Sequence, residues 1–97
     1  MGLVRERPAA SEDLRDIWRY VALDNPESAD HLLDSILTKL NMLADNPMLG
    51  RARADLAPAL RSFTFRQYVL LYEPEPGGVL LIRVLHGARD IARALLD

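Results

Sequence analysis

The 97-residue sequence contains no cysteine. Without thiols the chain has no disulfide framework, no thiolate nucleophile and no cysteine-based zinc site, and it makes no demand on an oxidising compartment. Histidine is scarce too: His31 and His86 are the only two, so a metal site with three imidazole ligands is excluded. We therefore expect no bound metal ion.

Long apolar runs are also missing. No run approaches the ~20 residues that span a bilayer, and Arg5, Glu6 and Arg7 interrupt the apolar residues near the N-terminus. A secretory signal peptide needs an unbroken apolar segment at that position. We therefore expect a cytoplasmic protein that does not bind membranes.

The signature motifs of common enzyme classes are absent. The sequence has no glycine-rich phosphate loop, no nucleophile elbow and no helix with paired zinc-binding histidines, so we expect no cofactor. Asp13 and Asp16, three residues apart on a predicted helix, are interpreted as a solvated pair. His86 precedes Gly87 after an apolar run, and two interpretations stay open: a residue that closes a strand, or a proton carrier near neutral pH.

The composition is that of an ordinary globular protein. Hydrophobic residues make up 49% of the chain and charged residues 27%, which is too apolar for a disordered chain. The length is common for one domain, and we find no repeat, low-complexity tract or linker. We therefore predict a single domain over residues 1–97.

Positive charge is concentrated in the second half of the chain. Residues 1–50 hold five basic and nine acidic residues, whereas residues 51–97 hold seven and five. Within residues 51–66, Asp55 is outnumbered by four arginines: Arg51, Arg53, Arg61 and Arg66. The planar guanidinium suits phosphate and carboxylate, so this segment favours a polyanion or an acidic protein surface. A merely solvated surface is the alternative.

Two amphipathic helices are predicted in the first half. Ser11 is the expected N-cap of the first, and its apolar face falls at i, i+3, i+4 and i+7: Leu14, Ile17, Trp18 and Val21. We expect Trp18 in the core. Asn25 then caps a second helix with Pro26 at its first position, and an Asn-Pro pair ends that helix. The two helices should form an antiparallel hairpin.

Strand patterns dominate the rest of the chain. Residues 2–7 suit an edge strand, residues 60–72 alternate in two runs, residues 73–78 have the composition of a turn, and the apolar run 79–85 is typical of a central strand. A short final helix is expected after Asp90 as N-cap. The order β-α-α-β-β-β-α predicts an α+β fold in which an N-terminal strand and a two-helix hairpin pack on a small antiparallel sheet.

Several short segments follow one another in an order that resembles the ParE toxins of the RelE/ParE superfamily. They are Asn46-Pro47, Gly50-Arg51-Ala52-Arg53, Leu60-Arg61-Ser62, then Tyr68, Leu70 and Tyr72, and finally Val84-Leu85-His86-Gly87-Ala88-Arg89-Asp90. The resemblance covers nearly the whole chain. It implies the toxin of a two-gene toxin-antitoxin pair, which acts either on DNA gyrase or, as a ribosome-dependent endonuclease, on messenger RNA.

Between these two branches the resemblance favours the gyrase inhibitors. The nucleases carry a basic cluster on the sheet and a tyrosine or histidine near the C-terminus, since RNA cleavage requires an activated 2′-hydroxyl and a stabilised phosphate. Residues 88–97 contain no tyrosine, and His86 precedes the final helix. If the chain is a nuclease, its expected catalytic residues are Arg61, Arg83 and His86. A non-toxic homologue that binds antitoxin is a third interpretation.

The resemblance also implies a hetero-oligomer with a ParD-like antitoxin. The toxin would then be linked to operator DNA only indirectly, through the antitoxin. The residues expected to contact target or antitoxin are six arginines: Arg51, Arg53, Arg61, Arg66, Arg83 and Arg89. Acidic residues of the antitoxin tail would pair with the first four of these. A groove beside the sheet would accept an amphipathic segment by helix-in-groove contact and strand addition.

Overall fold

The computed structural model describes residues 2–87 and 91–96 of the chain. Its elements follow in the order β1 (Leu3–Glu6), α1 (Pro8–Ala22), α2 (Pro26–Asp45), β2 (Arg51–Ala52), β3 (Arg61–Phe65), β4 (Tyr68–Glu75), β5 (Gly78–His86) and α3 (Ile91–Leu96). A strand, a helical hairpin, a sheet and a short final helix confirm the predicted α+β architecture. The short β2 is an addition that the sequence did not predict.

All five strands belong to one sheet, in the spatial order β1-β5-β4-β3-β2. The strands from β3 to β5 pair antiparallel, as predicted, and the additional β2 pairs antiparallel with β3. The predicted N-terminal strand, β1, joins this sheet at its edge parallel to β5, with Leu3 opposite Gly78, so the sheet is mixed and not antiparallel throughout. Parallel neighbours need a long crossover connection, and the helices and intervening strands supply it.

The β4–β5 hairpin has a tighter turn than the sequence suggested. β4 continues to Glu75 and β5 begins at Gly78, so the turn consists of Pro76 and Gly77 and not of residues 73–78. Gly77 has a φ of 85°, which glycine adopts without strain. The long hairpin places β4 and β5 inside the sheet, where most of their residues are buried.

Two apolar layers cover opposite faces of the sheet. Along β4, Tyr68, Leu70 and Tyr72 pack against α1 and α2. The alternate residues, Val69 and Leu71, pack against α3 and the segment before β3. Because successive side chains of a strand point to opposite faces, this double burial requires the nearly unbroken apolar runs seen in the sequence.

α1 departs from the sequence prediction at two places. It begins at Pro8, whose fixed φ suits the first helical position, and the Ser11 hydroxyl donates to the Glu6 carboxylate at 2.7 Å instead of capping the helix. Trp18 is 38% exposed and not in the core. Its indole N–H donates to the Asp30 carboxylate at 2.8 Å, which joins α1 to α2 at the surface.

α3 confirms the predicted closing helix. Its predicted N-cap, Asp90, lies outside the described residues, as does Arg89. Among the helices that the structure describes, none is long and apolar enough to cross a membrane.

The start of α2 is as predicted, with Asn25 as N-cap and Pro26 at the first position. The Asn25 side chain accepts a hydrogen bond from the Ser28 N–H at 3.2 Å. We expect Asn25→Ala to lower the free energy of unfolding by about 1 kcal/mol, because that N–H loses its acceptor. Urea denaturation measures the change. Asn41→Ala, at an exposed site within α2, should change stability by less than about 0.5 kcal/mol, and equal losses would contradict the capping role.

Candidate protein-interaction surfaces

Arg83 holds three elements of the fold together. Its guanidinium, on β5, donates two hydrogen bonds to the Asp13 carboxylate of α1 at 2.7 and 3.0 Å. It donates another to the Ala94 carbonyl of α3 at 2.9 Å. The side chains of Arg83 and Asp13 are 21% and 14% exposed, and such a forked, shielded pair fixes geometry strongly. The structure thus gives Arg83 an internal role that the sequence did not predict.

Asp13 also completes the edge of β5. β1 ends where Glu6 lies opposite Leu81, so among the described residues the next part of β5 has no strand on that side. There the Asp13 carboxylate accepts a hydrogen bond from the Val84 N–H at 2.9 Å. One side chain therefore satisfies both a strand amide and the Arg83 guanidinium.

The turn at Pro47–Gly50 is held by two side chains of the sheet. The Tyr72 hydroxyl donates to the Pro47 carbonyl at 2.7 Å and accepts from the Gly50 N–H at 2.8 Å. The Arg61 guanidinium donates to the carbonyls of Met48 and Gly50 at 3.2 and 2.6 Å. A Cβ at position 50 would collide with the Tyr72 hydroxyl, which explains the glycine. Arg61 therefore fixes the backbone of this turn.

Arg51 and Arg53 lie where β2 forms the edge of the sheet. Arg51 is exposed and stands opposite Ser62 of β3. Arg53 is partly buried, and its guanidinium donates to the Asp55 carboxylate at 3.2 and 3.3 Å. This hydrogen bonding lowers the pKa of the Asp55 carboxyl below its usual value. The two arginines thus give this edge a positive character that Asp55 only partly offsets.

A hollow of about 350 Å³, which we term the β2 hollow, opens beside these two arginines. Its apolar lining includes Leu49, Phe63, Val69 and Ile91. Leu49 and its neighbour Met48 are 54% and 67% exposed. Apolar side chains flanked by arginine are typical of the energetically important centre of protein interfaces.

Arg66 and His86 lie at the other end of the sheet. Arg66 is exposed in the β3–β4 turn with a φ of 55°, and its guanidinium lies 5.1 Å from the centre of the Phe65 ring. His86 is exposed opposite Tyr68, and the two rings meet edge to face at 5.5 Å. Burial raises the pKa of the Tyr68 phenol. Its ring belongs to the core, so it offers no exposed stacking surface.

The residues expected in a nuclease site do not converge. Arg83 and His86 are three residues apart on β5, so their side chains leave opposite faces of the sheet; their partners on β4 pack in opposite layers. Arg61 shares a face with His86 but stands opposite Tyr72, whereas His86 stands opposite Tyr68. That offset of four strand residues corresponds to about 13 Å.

A larger groove, the α3 groove, lies on the α3 side of the sheet and has a volume of about 670 Å³. Its apolar lining comes from the segment before β3, from β5 and from α3: Leu56, Ala57, Leu60, Ile82, Ala92 and Leu95. Ile91 lines the β2 hollow instead. α3 therefore separates the two depressions.

The predicted contact residues thus fall into separate places. Arg51 and Arg53 lie together with Arg61 behind them, and Arg66 lies at the far end of β3. Arg83 is partly buried between α1 and α3 and lines the α3 groove. Across residues 2–87 and 91–96, no group of three histidine, aspartate or glutamate side chains could hold a metal ion.

Asp13 is the residue whose structural role was least predictable from the sequence. Asp16 is exposed, as expected, and pairs with Arg19 at 2.9 Å, but Asp13 faces the sheet. The helical period carried the signal, because Asp13 lies three residues after Ala10 and four before Ile17, which both pack on the core.

Comparison with known proteins establishes the family. The family described as "ParE toxin of type II toxin-antitoxin system, parDE" matches residues 4–91. The chain belongs to this ParE toxin family. It is 34% identical over 94 residues to Toxin ParE3 of Caulobacter vibrioides, covering 96% of this chain and 93% of that protein. It is 30% identical over 91 residues to Toxin ParE1 of Mycobacterium tuberculosis, covering 91% and 92%.

Two further relatives complete the comparison. Toxin RelE3 of Caulobacter vibrioides is 32% identical to this ParE-family chain over 80 residues, covering 81% of this chain and 87% of that protein. A solved structure described as "Chromosomal ParDE TA system from P. aeruginosa" has a TM-score of 0.73 and 22% identity, covering 91% of this chain and 98% of that one. At that identity it shows a shared fold, and the resemblance inferred from the sequence is confirmed.

Proposed function

We propose that this ParE-family chain arrests growth by binding DNA gyrase and stabilising its broken-DNA state, with no bond made or cut by the toxin. The observation that carries the proposal is the dispersal of Arg61, Arg83 and His86 over three places in the fold. Cleavage of RNA requires a proton carrier and cations within hydrogen-bonding reach of one phosphate. Arg61 and Arg83 instead hold parts of the fold together.

Ribosome-dependent cleavage of messenger RNA is the second candidate. It is favoured by the similarity to a protein named as a RelE toxin and by the exposure of His86 at the same end of the sheet as Arg66. In this mechanism His86 would carry the proton and Arg66 would supply charge to the phosphate.

One experiment separates the two candidates. The chain is expressed without antitoxin, and plasmid and messenger RNA are recovered from the same cells. The gyrase mechanism predicts cleaved or relaxed plasmid with intact messenger RNA, whereas the nuclease mechanism predicts truncated messenger RNA with supercoiled plasmid. Normal growth with a folded chain would contradict both and support a non-toxic homologue that only binds antitoxin.

The α3 groove is the proposed binding site of a ParD-like antitoxin. Its apolar lining, between α3 and the segment before β3, suits an amphipathic helix that lays its apolar side into the groove. The resulting hetero-oligomer would contact operator DNA only through the antitoxin. Support for such a partner comes from the family, which is that of the parDE system.

A charged substitution in the α3 groove tests this assignment. We expect Leu56→Asp to weaken antitoxin binding about 30-fold or more, because a carboxylate would be buried against an apolar helix face. Isothermal titration calorimetry measures the dissociation constant. Leu23→Asp, at an 87% exposed site after α1, is the control and should leave affinity within about threefold. Unchanged affinity of a folded Leu56→Asp chain would contradict the assignment.

A further inference from the structure

The Pro47–Gly50 turn is rigid, yet its large side chains face solvent. Four hydrogen bonds with the side chains of Tyr72 and Arg61 fix its backbone. Met48 and Leu49 are nevertheless 67% and 54% exposed. A turn that is already ordered binds a partner with little further loss of entropy, so these two apolar side chains are well placed to insert into a partner surface.

The β2 edge beside this turn carries an excess of positive charge. Asp45, which precedes the turn, lines a different hollow together with Pro47 and accepts a hydrogen bond from the Gly2 N–H. Arg51 is exposed and forms no salt bridge with a described residue, and the only acidic residue from position 46 to position 66 is Asp55, which pairs with Arg53. The guanidinium groups flank the apolar lining of the β2 hollow. A carboxylate that approaches this edge meets a favourable field and a forked donor.

The chemistry of the turn favours a protein partner over nucleic acid. Met48 and Leu49 have no donor, strong acceptor or aromatic face with which to read base edges or stack on bases. Methionine and leucine do fill apolar pockets of proteins, and arginine is enriched at the centre of such interfaces. The partner segment should therefore combine an apolar side chain with acidic residues.

We propose that Met48, Leu49, Arg51 and the β2 hollow form the surface by which the toxin grips its cellular target, through an acidic protein segment that carries an apolar side chain. This inference rests on the proposed toxin function but does not require the target to be gyrase. Because α3 separates the β2 hollow from the α3 groove, target binding and antitoxin binding use different residues. Toxicity can therefore be removed while antitoxin affinity is kept.

Two variants test the proposal: the double substitution Met48→Ser/Leu49→Ser and the charge reversal Arg51→Glu. Each is expressed without antitoxin at graded levels, and growth arrest is scored against the amount of chain. We expect each variant to need about 30-fold more chain for equal arrest, as for loss of interface hot-spot residues. Antitoxin affinity should stay within about threefold of the wild-type value. Leu23→Ser, at an apolar site that is even more exposed, should leave both quantities unchanged.

Three results would overturn the proposal. Undiminished arrest by folded variants would remove the surface from target binding. Parallel loss of arrest and of antitoxin affinity would assign it to the antitoxin. If the wild-type chain binds duplex DNA and only Arg51→Glu abolishes that binding, the partner is nucleic acid. Growth arrest is scored whatever the target is, so this experiment can support the surface even if the target is not gyrase. A wild-type chain that causes no arrest would contradict both the proposed toxin function and the proposed target-binding surface.

Discussion

Asp13→Ala is expected to lower the free energy of unfolding by about 3 kcal/mol. The substitution removes the Asp13 carboxylate from the largely buried Arg83 guanidinium and deprives the Val84 N–H of its acceptor. Each loss is costly, because buried charged and polar groups need partners. In a domain of this size the change corresponds to a fall in Tm of roughly 15 °C. Thermal and chemical denaturation both measure it.

Two related variants make this test specific. Asp16→Ala removes a carboxylate of the same helix that is exposed and pairs with Arg19, and it should cost less than about 0.5 kcal/mol. Asp13→Asn keeps an oxygen for the Val84 N–H but loses the charge, so its stability should fall between that of Asp13→Ala and wild type. A similar small loss for Asp13→Ala and Asp16→Ala would contradict the internal role of the Asp13–Arg83 pair.

Tyr72→Phe is expected to cost about 2 kcal/mol of stability. The Tyr72 hydroxyl is the acceptor of the Gly50 N–H and the donor to the Pro47 carbonyl, and phenylalanine leaves both without that partner while filling nearly the same space. The Gly50 amide should exchange its hydrogen faster, because the turn opens more easily. Tyr20→Phe, at a 78% exposed site, is the control and should stay within about 0.5 kcal/mol of wild type.

The same variant should alter the response to alkali. Burial raises the pKa of the Tyr72 phenol in the folded chain. The contribution of the neutral Tyr72 phenol to the free energy of unfolding is fully present below the unfolded pKa of about 10. It is lost as pH rises through the higher folded pKa, because the unfolded chain releases the phenol proton at a lower pH than the folded chain. Tyr72→Phe should therefore lose stability less steeply above about pH 10. An unchanged slope would contradict burial of a neutral phenol at this position.

The sequence predicted the local elements because their signals are local. The Asn25-Pro26 pair determines the start of α2 within four residues of chain, and the nearly unbroken apolar run at the start of β4 reports burial on both faces of that strand. The parallel pairing of β1 with β5 joins Leu3 to Gly78, and no short pattern encodes a contact so distant. Trp18 has the correct helical period, but α1 fully buries only Ala10 and Leu14, and in its later turns it is Ile17 and Val21 that pack against the core.

The candidate site was predictable only as a region. The charge census identified residues 51–66 as rich in arginine, and that edge of the sheet does carry exposed positive charge. Charge alone cannot distinguish an arginine that faces solvent from one that holds backbone carbonyls. The partners of Arg83 and Arg61 lie 70 and 11 residues away in sequence, at Asp13 and Gly50. Their internal roles follow from tertiary contacts and not from residue type.

The dispersal of Arg61, Arg83 and His86 favours a toxin that acts through its surfaces. In our proposal the α3 groove binds the antitoxin and the β2 hollow binds the target, with α3 between them. An antitoxin bound in the α3 groove would lie on the same face of the sheet as the β2 hollow. It would therefore hinder target binding sterically, without contacting the residues that bind the target.

The most direct test of this account uses purified gyrase, supercoiled DNA and the purified chain, with cleaved DNA as the measured quantity. We expect cleaved DNA to accumulate with the amount of chain, to do so equally with His86→Ala, and to disappear when antitoxin is added. No cleaved DNA at saturating chain would contradict this account, and truncation of messenger RNA on ribosomes that His86→Ala eliminates would establish the nuclease instead.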